Sequence, residues 1–447
     1  MTILLVHYHL RAGGVTRVIQ SQVRALCELG HKVVIVSSGP VDGSDFPTLV
    51  IPELDYQKTG TVPSKPLFEI GADLWIIHNP TLGLNSGYPG LIEEAVENGI
   101  PMVLQIHDFV EDGRPANYQL IKECRRLYPV APHLHYATIN RRDLAILIKA
   151  GIPVEQCHYL PNAIDPPKLC ETVTEKNLIF YPVRGIRRKN LGELCLLAAH
   201  TPPGSSFAVA LRSSCEEPAY IHDDWVEFAR RENLPVAFDV TSEESSSFVE
   251  WLGRSSHLVT TSISEGFGLT FLDPAFLGKP LIGRDLPEVT RDFTPVGTLY
   301  QSIPIPVASL PGLEEIYRKE LQAAMTAYGH NLNSKEVDSA WEAFSARGLV
   351  DFGNLPESLQ RHVITNLRLP WLTEWLSKAL EKPPQAIDTT PWSLSTYAKR
   401  LETLIQSPGK AGPITWIDPK KILDQFLDPG RFHFLRSPLP PRKEREG

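Results

Sequence analysis

The chain has 447 residues, 42% of them hydrophobic and 21% charged, which is the composition of a soluble globular protein with room for two or three domains. A formal charge of −8 and an isoelectric point near 6.0 argue against a nucleic-acid binder, whose footprint is basic. Cys27, Cys124, Cys157, Cys170, Cys195 and Cys215 are scattered without a CxxC pair, so reduced thiols are expected rather than a disulfide frame or a zinc site. Residues 1–10 lack the basic start of a signal peptide, and no run approaches the ~20 apolar residues of a membrane span. A cytoplasmic protein is expected, with peripheral membrane contact left open.

In chain order, residues 2–7 form an apolar strand, Ala12, Gly13 and Gly14 a tight turn, residues 15–29 an amphipathic helix ended by Gly30, and residues 32–37 a second strand. One βαβ unit implies a parallel sheet covered on both faces. The turn is not GxGxxG, and by itself it fits a plain tight turn equally well. Strands over 74–77 and 102–106 each end in a polar pair, His78-Asn79 and His107-Asp108. Polar residues at the carboxyl ends of parallel strands face the crevice where α/β proteins bind ligands. A lone histidine is nevertheless more often structural than catalytic.

The proline-rich 160–168 and the polar 171–177 read as a linker. Strands over 178–183, 207–211 and 236–240 then alternate with helices over 224–231 and 248–255, the pattern of a second parallel sheet. Arg184, Arg187, Arg188 and Lys189 cluster after the first of these strands, where a solvated patch is the bland alternative.

Residues 258–288 contain the most informative stretch. A buried strand over 258–262 leads to Ser264-Glu265-Gly266-Phe267-Gly268, a helix over 269–277 and a strand over 280–283. Open amides and the positive end of a helix dipole gather at such a turn and suit a phosphate. Glu265 and Asp273 flank it, and like charges there are better suited to accepting hydrogen bonds from sugar or ribose hydroxyls. A plain strand-to-helix turn remains the alternative reading.

This stretch resembles the signature of retaining nucleotide-sugar glycosyltransferases of the two-Rossmann GT-B architecture, family 4 in particular. The matching residues are Ser264, Glu265, Gly266, Phe267, Gly268, Gly278, Pro280, Pro287 and Glu288, with Asp273 standing where the family usually has Glu. Leu160-Pro161-Asn162-Ala163-Ile164-Asp165 is similar to the family's junction between domains, with Ala163 for the usual glycine. The spacing of Arg184 and Lys189 matches the arginine and lysine that hold the donor diphosphate, and His107 opens a matching His-Asp pair. Residues 392–406 resemble the helix that crosses back to the first domain.

The resemblance implies an α/β fold of two facing, doubly wound Rossmann-like domains with an extended, mostly helical C-terminal region. Its parts would be an acceptor-side domain at 1–165, a donor-binding domain at 166–300, a helical extension at 301–390 with helices over 310–328, 335–347 and 355–380, a crossover helix at 391–407 and a partly disordered tail at 408–447. It implies transfer of a hexose from a nucleotide diphosphate sugar to the hydroxyl of a small-molecule or glycan acceptor, with retention. His107, Arg184, Lys189 and Glu265 would be catalytic. Gly13, Gly14, Gly266, Phe267, Gly268, Leu269 and Asp273 would bind the donor, and His78 and Asp108 are candidate acceptor contacts. No Asp-x-Asp triplet occurs, which fits an enzyme without metal or cofactor. A hydrolase, epimerase or phosphorylase on the same frame, and a non-catalytic carbohydrate binder, are the competing classes.

Overall fold

Two parallel sheets form where apolar strands alternate with helices. The computed structural model describes residues 1–11, 13–40, 46–56, 60–165, 167–169, 173–212, 216–241, 247–293 and 296–436. The first sheet uses β1 (Thr2–Val6), β2 (Lys32–Ser37), β3 (Thr48–Val50), β4 (Leu74–His78), β5 (Met102–Ile106), β7 (Leu134–Thr138) and β8 (Cys157–Tyr159), while β6 (Tyr128–Val130) stands apart. Its order is β3-β2-β1-β4-β5-β7-β8, all parallel. The second sheet runs β11-β10-β9-β12-β13-β14, from β9 (Leu178–Gly185), β10 (Ser206–Arg212), β11 (Val236–Ala237), β12 (His257–Thr260), β13 (Leu281–Arg284) and β14 (Thr298–Tyr300).

The period-2 alternation of strand side chains explains why both faces are covered. Ile3 and Leu5 of β1 enter one core with Ile19, Val23 and Leu26 of the helix Gly14–Glu28, whereas Leu4 and Val6 enter another with Tyr88 and Leu91. In the second sheet Ile179 and Tyr181 face one core and Leu178 and Phe180 the other. Each sheet reverses its strand order at one place, β1 beside β4 and β9 beside β12. Ligand crevices of doubly wound sheets open at such switch points. The expected two-domain α/β architecture is therefore present.

The C-terminal region differs from expectation in two respects. The helix expected over 355–380 is two helices, Glu357–Asn366 and Pro370–Ala379. Pro370 sits at the start of the second, where its missing N–H costs nothing, and it forces Leu369 out of the helical region to φ −120° and ψ 78°. Residues 408–436, expected to be disordered, are ordered: the strand Thr415–Ile417 pairs antiparallel with β6, and Phe432 and Phe434 are buried beside Tyr317. The basic residues at 442–445 lie outside the described residues. The helices Leu313–Ala327 and Glu357–Asn366 share one core with the second sheet through Tyr317, Leu321 and Val363, so residues 301–380 build no separate core. The helix Leu394–Ile405 returns to the first sheet and packs Tyr397, Leu401 and Leu404 against the helix Gly14–Glu28.

Glu111 adds a titration to this fold. It is 1% exposed and accepts from the Tyr128 hydroxyl at 3.0 Å. Burial pushes its carboxyl from the usual 4.5 up to about 8, against the partial relief of its hydrogen bonds. The folded value lies above the unfolded one, so its contribution to stability is complete below pH 4.5 and is lost as pH rises through about 8. Glu111→Gln should unfold at a higher urea concentration than the parent at pH 9 and at a similar one at pH 5, a difference that paired urea titrations would resolve.

Candidate functional site

The signature turn is shaped by its glycines and by a partner in the other domain. Gly268 caps the helix Leu269–Phe276 at φ 93°, a left-handed conformation, and a Cβ there would stand 2.7 Å from Val289 Cγ1. A Cβ on Gly266 would come within 3.2 Å of the His107 carbonyl oxygen, so the second domain meets the first here. Asn140, which caps the helix Arg141–Ala150, donates from Nδ2 to the Gly266 carbonyl at 2.8 Å and ties the turn across the cleft. Phe267 packs its ring edge-on against Phe293 in the core, so only its backbone is placed for a ligand. The first amides of the helix, Leu269 and Thr270, have no acceptor within the helix.

The cations come from the neighbouring strand end. Arg184 is the next-to-last residue of β9 and is exposed on the cleft wall. Lys189 ends a short 3-10 turn, Arg187–Lys189, whose backbone is held from below: the Tyr181 hydroxyl and Thr261 Oγ1 donate to the Lys189 carbonyl at 3.1 and 2.9 Å. Its ammonium forms an ion pair with Glu265 Oε1. Burial pushes the Glu265 carboxyl up, but the charges of Lys189 and Arg188 outweigh it and leave the group below its usual value. Burial lowers Lys189 in turn, with Glu265 opposing. The pair is a buried, ionised couple at the cleft floor. Arg187 turns away to Glu357 at 2.6 Å, whereas Arg188 lines the cleft.

The opposite wall belongs to the first domain. Gly13, Gly14, Arg17, His107 and Asp108 line it, and a Cβ at Gly14 would meet nothing within 4 Å, so the backbone there borders open space. Asp108 is engaged by Arg114 at 2.8 Å. His107 is 4% exposed, and burial holds its imidazole down to about 4, so the ring is neutral at pH 7. His78 does not reach the cleft. It is fully buried behind His107 with both ring nitrogens bonded inside the protein, so the expected acceptor contact is not made by this residue.

Asp273 faces Arg17 across the cleft, with Oδ2 3.5 Å from Nη1. Its other oxygen, Oδ1, is buried and has no hydrogen-bond partner among the described residues. Burial raises the carboxyl, and Arg17 partly opposes this. Arg17, Arg188 and Asn140 are the site residues that sequence reasoning missed or left aside. The capping position of Asn140 ahead of Arg141-Arg142-Asp143 was readable, but its reach to Gly266 was not. Glu288 of the signature pairs with Arg142 of the first domain at 3.2 Å and with Arg431, which adds a second tie between the lobes.

These residues enclose a cavity of about 400 Å³, the size of a small-ligand site. Arg184, Arg188, Lys189, Glu265, Asp273 and the glycine turn all border it from one lobe, while Gly13, Gly14, Arg17 and His107 border it from the other. Among the described residues no group of three His, Cys, Asp or Glu side chains is placed to hold a metal ion, and no helix is long and apolar enough to cross a membrane.

No protein-family model matches the chain. It is similar to the curated mannosylglucosyl-3-phosphoglycerate synthase of Petrotoga mobilis, 25% identical over an alignment that covers 94% of this chain and 95% of the relative. Among solved structures it is similar to HepE of Anabaena in complex with UDP and glucose, with a TM-score of 0.54 at 12% identity over 91% of this chain and all of that one. TarM superposes with a TM-score of 0.53 at 11% identity, covering 90% of this chain and 98% of the other. Sucrose-phosphate synthase from Thermosynechococcus elongatus gives 0.50 at 13%, covering 91% and 98%. The two facing doubly wound sheets, the cleft between them and these likenesses together establish a GT-B fold of the kind glycosyltransferases use.

Proposed function

We propose that the protein is a retaining, metal-independent glycosyltransferase that moves a hexose from a nucleotide diphosphate sugar to an acceptor hydroxyl. The observation that carries this reading is the convergence of Arg184, Arg188, Lys189 and the mouth of the helix Leu269–Phe276 on one cavity that Glu265 and Asp273 also border. Guanidinium groups grip phosphate oxygens in pairs, and lysine adds a compact charge. HepE binds UDP-glucose, and the Petrotoga relative is a sugar-transferring synthase by name, which supports a nucleotide-sugar donor.

The bond between the anomeric carbon and the diphosphate oxygen opens as the acceptor hydroxyl forms its bond on the same face of the sugar. The hydroxyl proton passes to the departing phosphate oxygen, and the nucleoside diphosphate leaves. Negative charge grows on that diphosphate, and the fixed cations and amides of the second lobe stabilise it without having to reorganise. Glu265 orients the hexose, the Asp273 carboxylate accepts from ribose, and His107 meets the reacting face of the sugar. The name of the Petrotoga relative describes a product bearing phosphate and carboxylate groups, so a phosphorylated hydroxy-acid glycoside is the first acceptor class to test.

The test is incubation with UDP-, GDP- and ADP-hexoses, with and without glucosyl-3-phosphoglycerate and simple glycosides, in the presence of a chelator. Mass spectrometry should find an acceptor heavier by one hexose together with free nucleoside diphosphate, and NMR should find the donor's anomeric configuration kept. Hexose released to water in the absence of acceptor would replace the transferase reading with a hydrolase. An inverted product would remove retention.

A further inference from the structure

Behind the cleft wall a file of polar side chains crosses an otherwise apolar interior. His107 Nε2 lies 2.9 Å from His78 Nδ1, His78 Nε2 lies 2.9 Å from Gln22 Oε1, and Gln22 Nε2 lies 3.0 Å from Gln105 Oε1. His78, Gln22 and Gln105 are 0% exposed. They come from the end of β4, from the helix Gly14–Glu28 and from β5, so three separate elements supply one continuous chain. Polar groups this deep are costly unless they are bonded, and a file of them fixes an order of donors and acceptors.

In this file Gln105 Oε1 faces Gln22, and Gln105 Nε2 has no partner among the described residues. Gln105 offers its carbonyl oxygen to Gln22, whose amide NH₂ donates there and whose own carbonyl oxygen therefore faces His78. An oxygen in that place can only accept, so His78 carries its proton on Nε2. A neutral imidazole protonated at Nε2 has a lone pair at Nδ1, and this lone pair accepts from His107 Nε2–H. His107 Nδ1 then has no proton and no partner among the described residues, on a ring that lines the cleft. Burial keeps both rings neutral, strongly so at His78, where the neighbouring His107 and His7 add to the effect. Asp108 alone favours the charged form of His107, and it is occupied by Arg114.

We propose that His78 and Gln22 are positioning residues that lock His107 in its Nε2–H tautomer, so that Nδ1 accepts a hydrogen bond from a hydroxyl of the donor sugar. The tautomer follows from the amide orientations of Gln22 and Gln105, and the hydroxyl contact rests on the transferase reading above. The other tautomer would present a donor to the same hydroxyl and turn it the wrong way.

Protein labelled with ¹⁵N-histidine tests the tautomer without substrate, so the result stands whether or not the transferase reading does. Long-range ¹H–¹⁵N spectra at pH 7, with His107 assigned through its loss in His107→Gln, should give a pyridine-like Nδ1 and a pyrrole-like Nε2. A pyrrole-like Nδ1, or an imidazolium, overturns the proposal. Gln22→Met, matched in length and lacking the amide, should mix the two tautomers and lower kcat about 10-fold or more while KM stays within about twofold. A changed tautomer with unchanged kcat would remove the positioning role. Should Gln22→Met fail to fold, the wild-type spectrum still decides the tautomer.

Discussion

Replacing Arg184 with Ala is expected to lower kcat about 100-fold, equivalent to ~2.7 kcal/mol of transition-state stabilisation, the usual loss for one preorganised donor. The reason lies in where the charge develops. In the proposed reaction the departing diphosphate gains its charge beside the end of β9, where Arg184 is exposed on the cleft wall. An exposed side chain at a strand end carries little of the core, so the melting temperature should hardly move. Steady-state kinetics beside a thermal melt separates the two effects. A variant with unchanged kcat would remove Arg184 from the diphosphate site, and one that melts far lower would make its role structural.

The largest effect on stability is expected at Arg284. It is 5% exposed on β13, and its guanidinium holds both oxygens of Glu193, at 2.8 and 2.6 Å, and both of Asp351, at 2.6 and 3.0 Å. Glu193 also accepts from the Tyr300 hydroxyl at 2.7 Å, and Asp351 from the Ile303 amide at 2.8 Å. Asp351 belongs to the C-terminal region and Glu193 to the helix Leu191–Ala199, so one cation fastens the extension to the second sheet. Arg284→Leu leaves Glu193, which is 0% exposed, without its cation, and breaking one partner out of such a couple costs about 3 to 5 kcal/mol.

The pH dependence of that loss has a definite sign. Burial already pushes Glu193 up even beside Arg284. In the variant its folded value rises further above the unfolded one, so the variant is relatively most stable in acid and loses ground as pH rises. Urea unfolding of the parent and variant at pH 5 and pH 8 should show the smaller gap at pH 5. Arg284→Leu combined with Glu193→Leu should recover part of the loss, because the buried Glu193 charge is no longer stranded while Asp351 still lacks its cation.

Much of the site was legible in the sequence because its chemistry is contiguous. Residues 261–288 carry the turn, both acids and the helix in one stretch, and Arg184 and Lys189 sit on a single strand-end turn. Strand composition and spacing were enough to find both parallel sheets, but β3, β7, β8 and β14 were not read as strands. The cross-cleft bonds were not legible, because Asn140 to Gly266 and Arg17 to Asp273 join residues far apart in the chain and on different lobes. His78 misled because a polar residue at a strand's carboxyl end reads as facing the crevice, while here it turns inward to a glutamine on a helix. The segment 408–436 misled in the opposite way. Its prolines and charges read as disorder, and the buried apolar residues that anchor it, Ile422, Leu423, Phe432, Phe434 and Leu435, are spread among them without a helix or strand period. Arg284 was passed over because an arginine at a strand end normally reaches solvent.

Calorimetric titration of the wild-type protein and of Arg184→Ala with UDP, GDP and ADP, with the parent nucleosides as controls, asks whether these cations hold a diphosphate. At least one diphosphate should bind the wild type, its affinity should fall about 10-fold or more in the variant as one charge-assisted phosphate contact is lost, and the nucleosides should bind both proteins alike. Absence of binding by all three diphosphates, or binding that Arg184→Ala leaves untouched, would contradict a diphosphate held between the cations of this cleft.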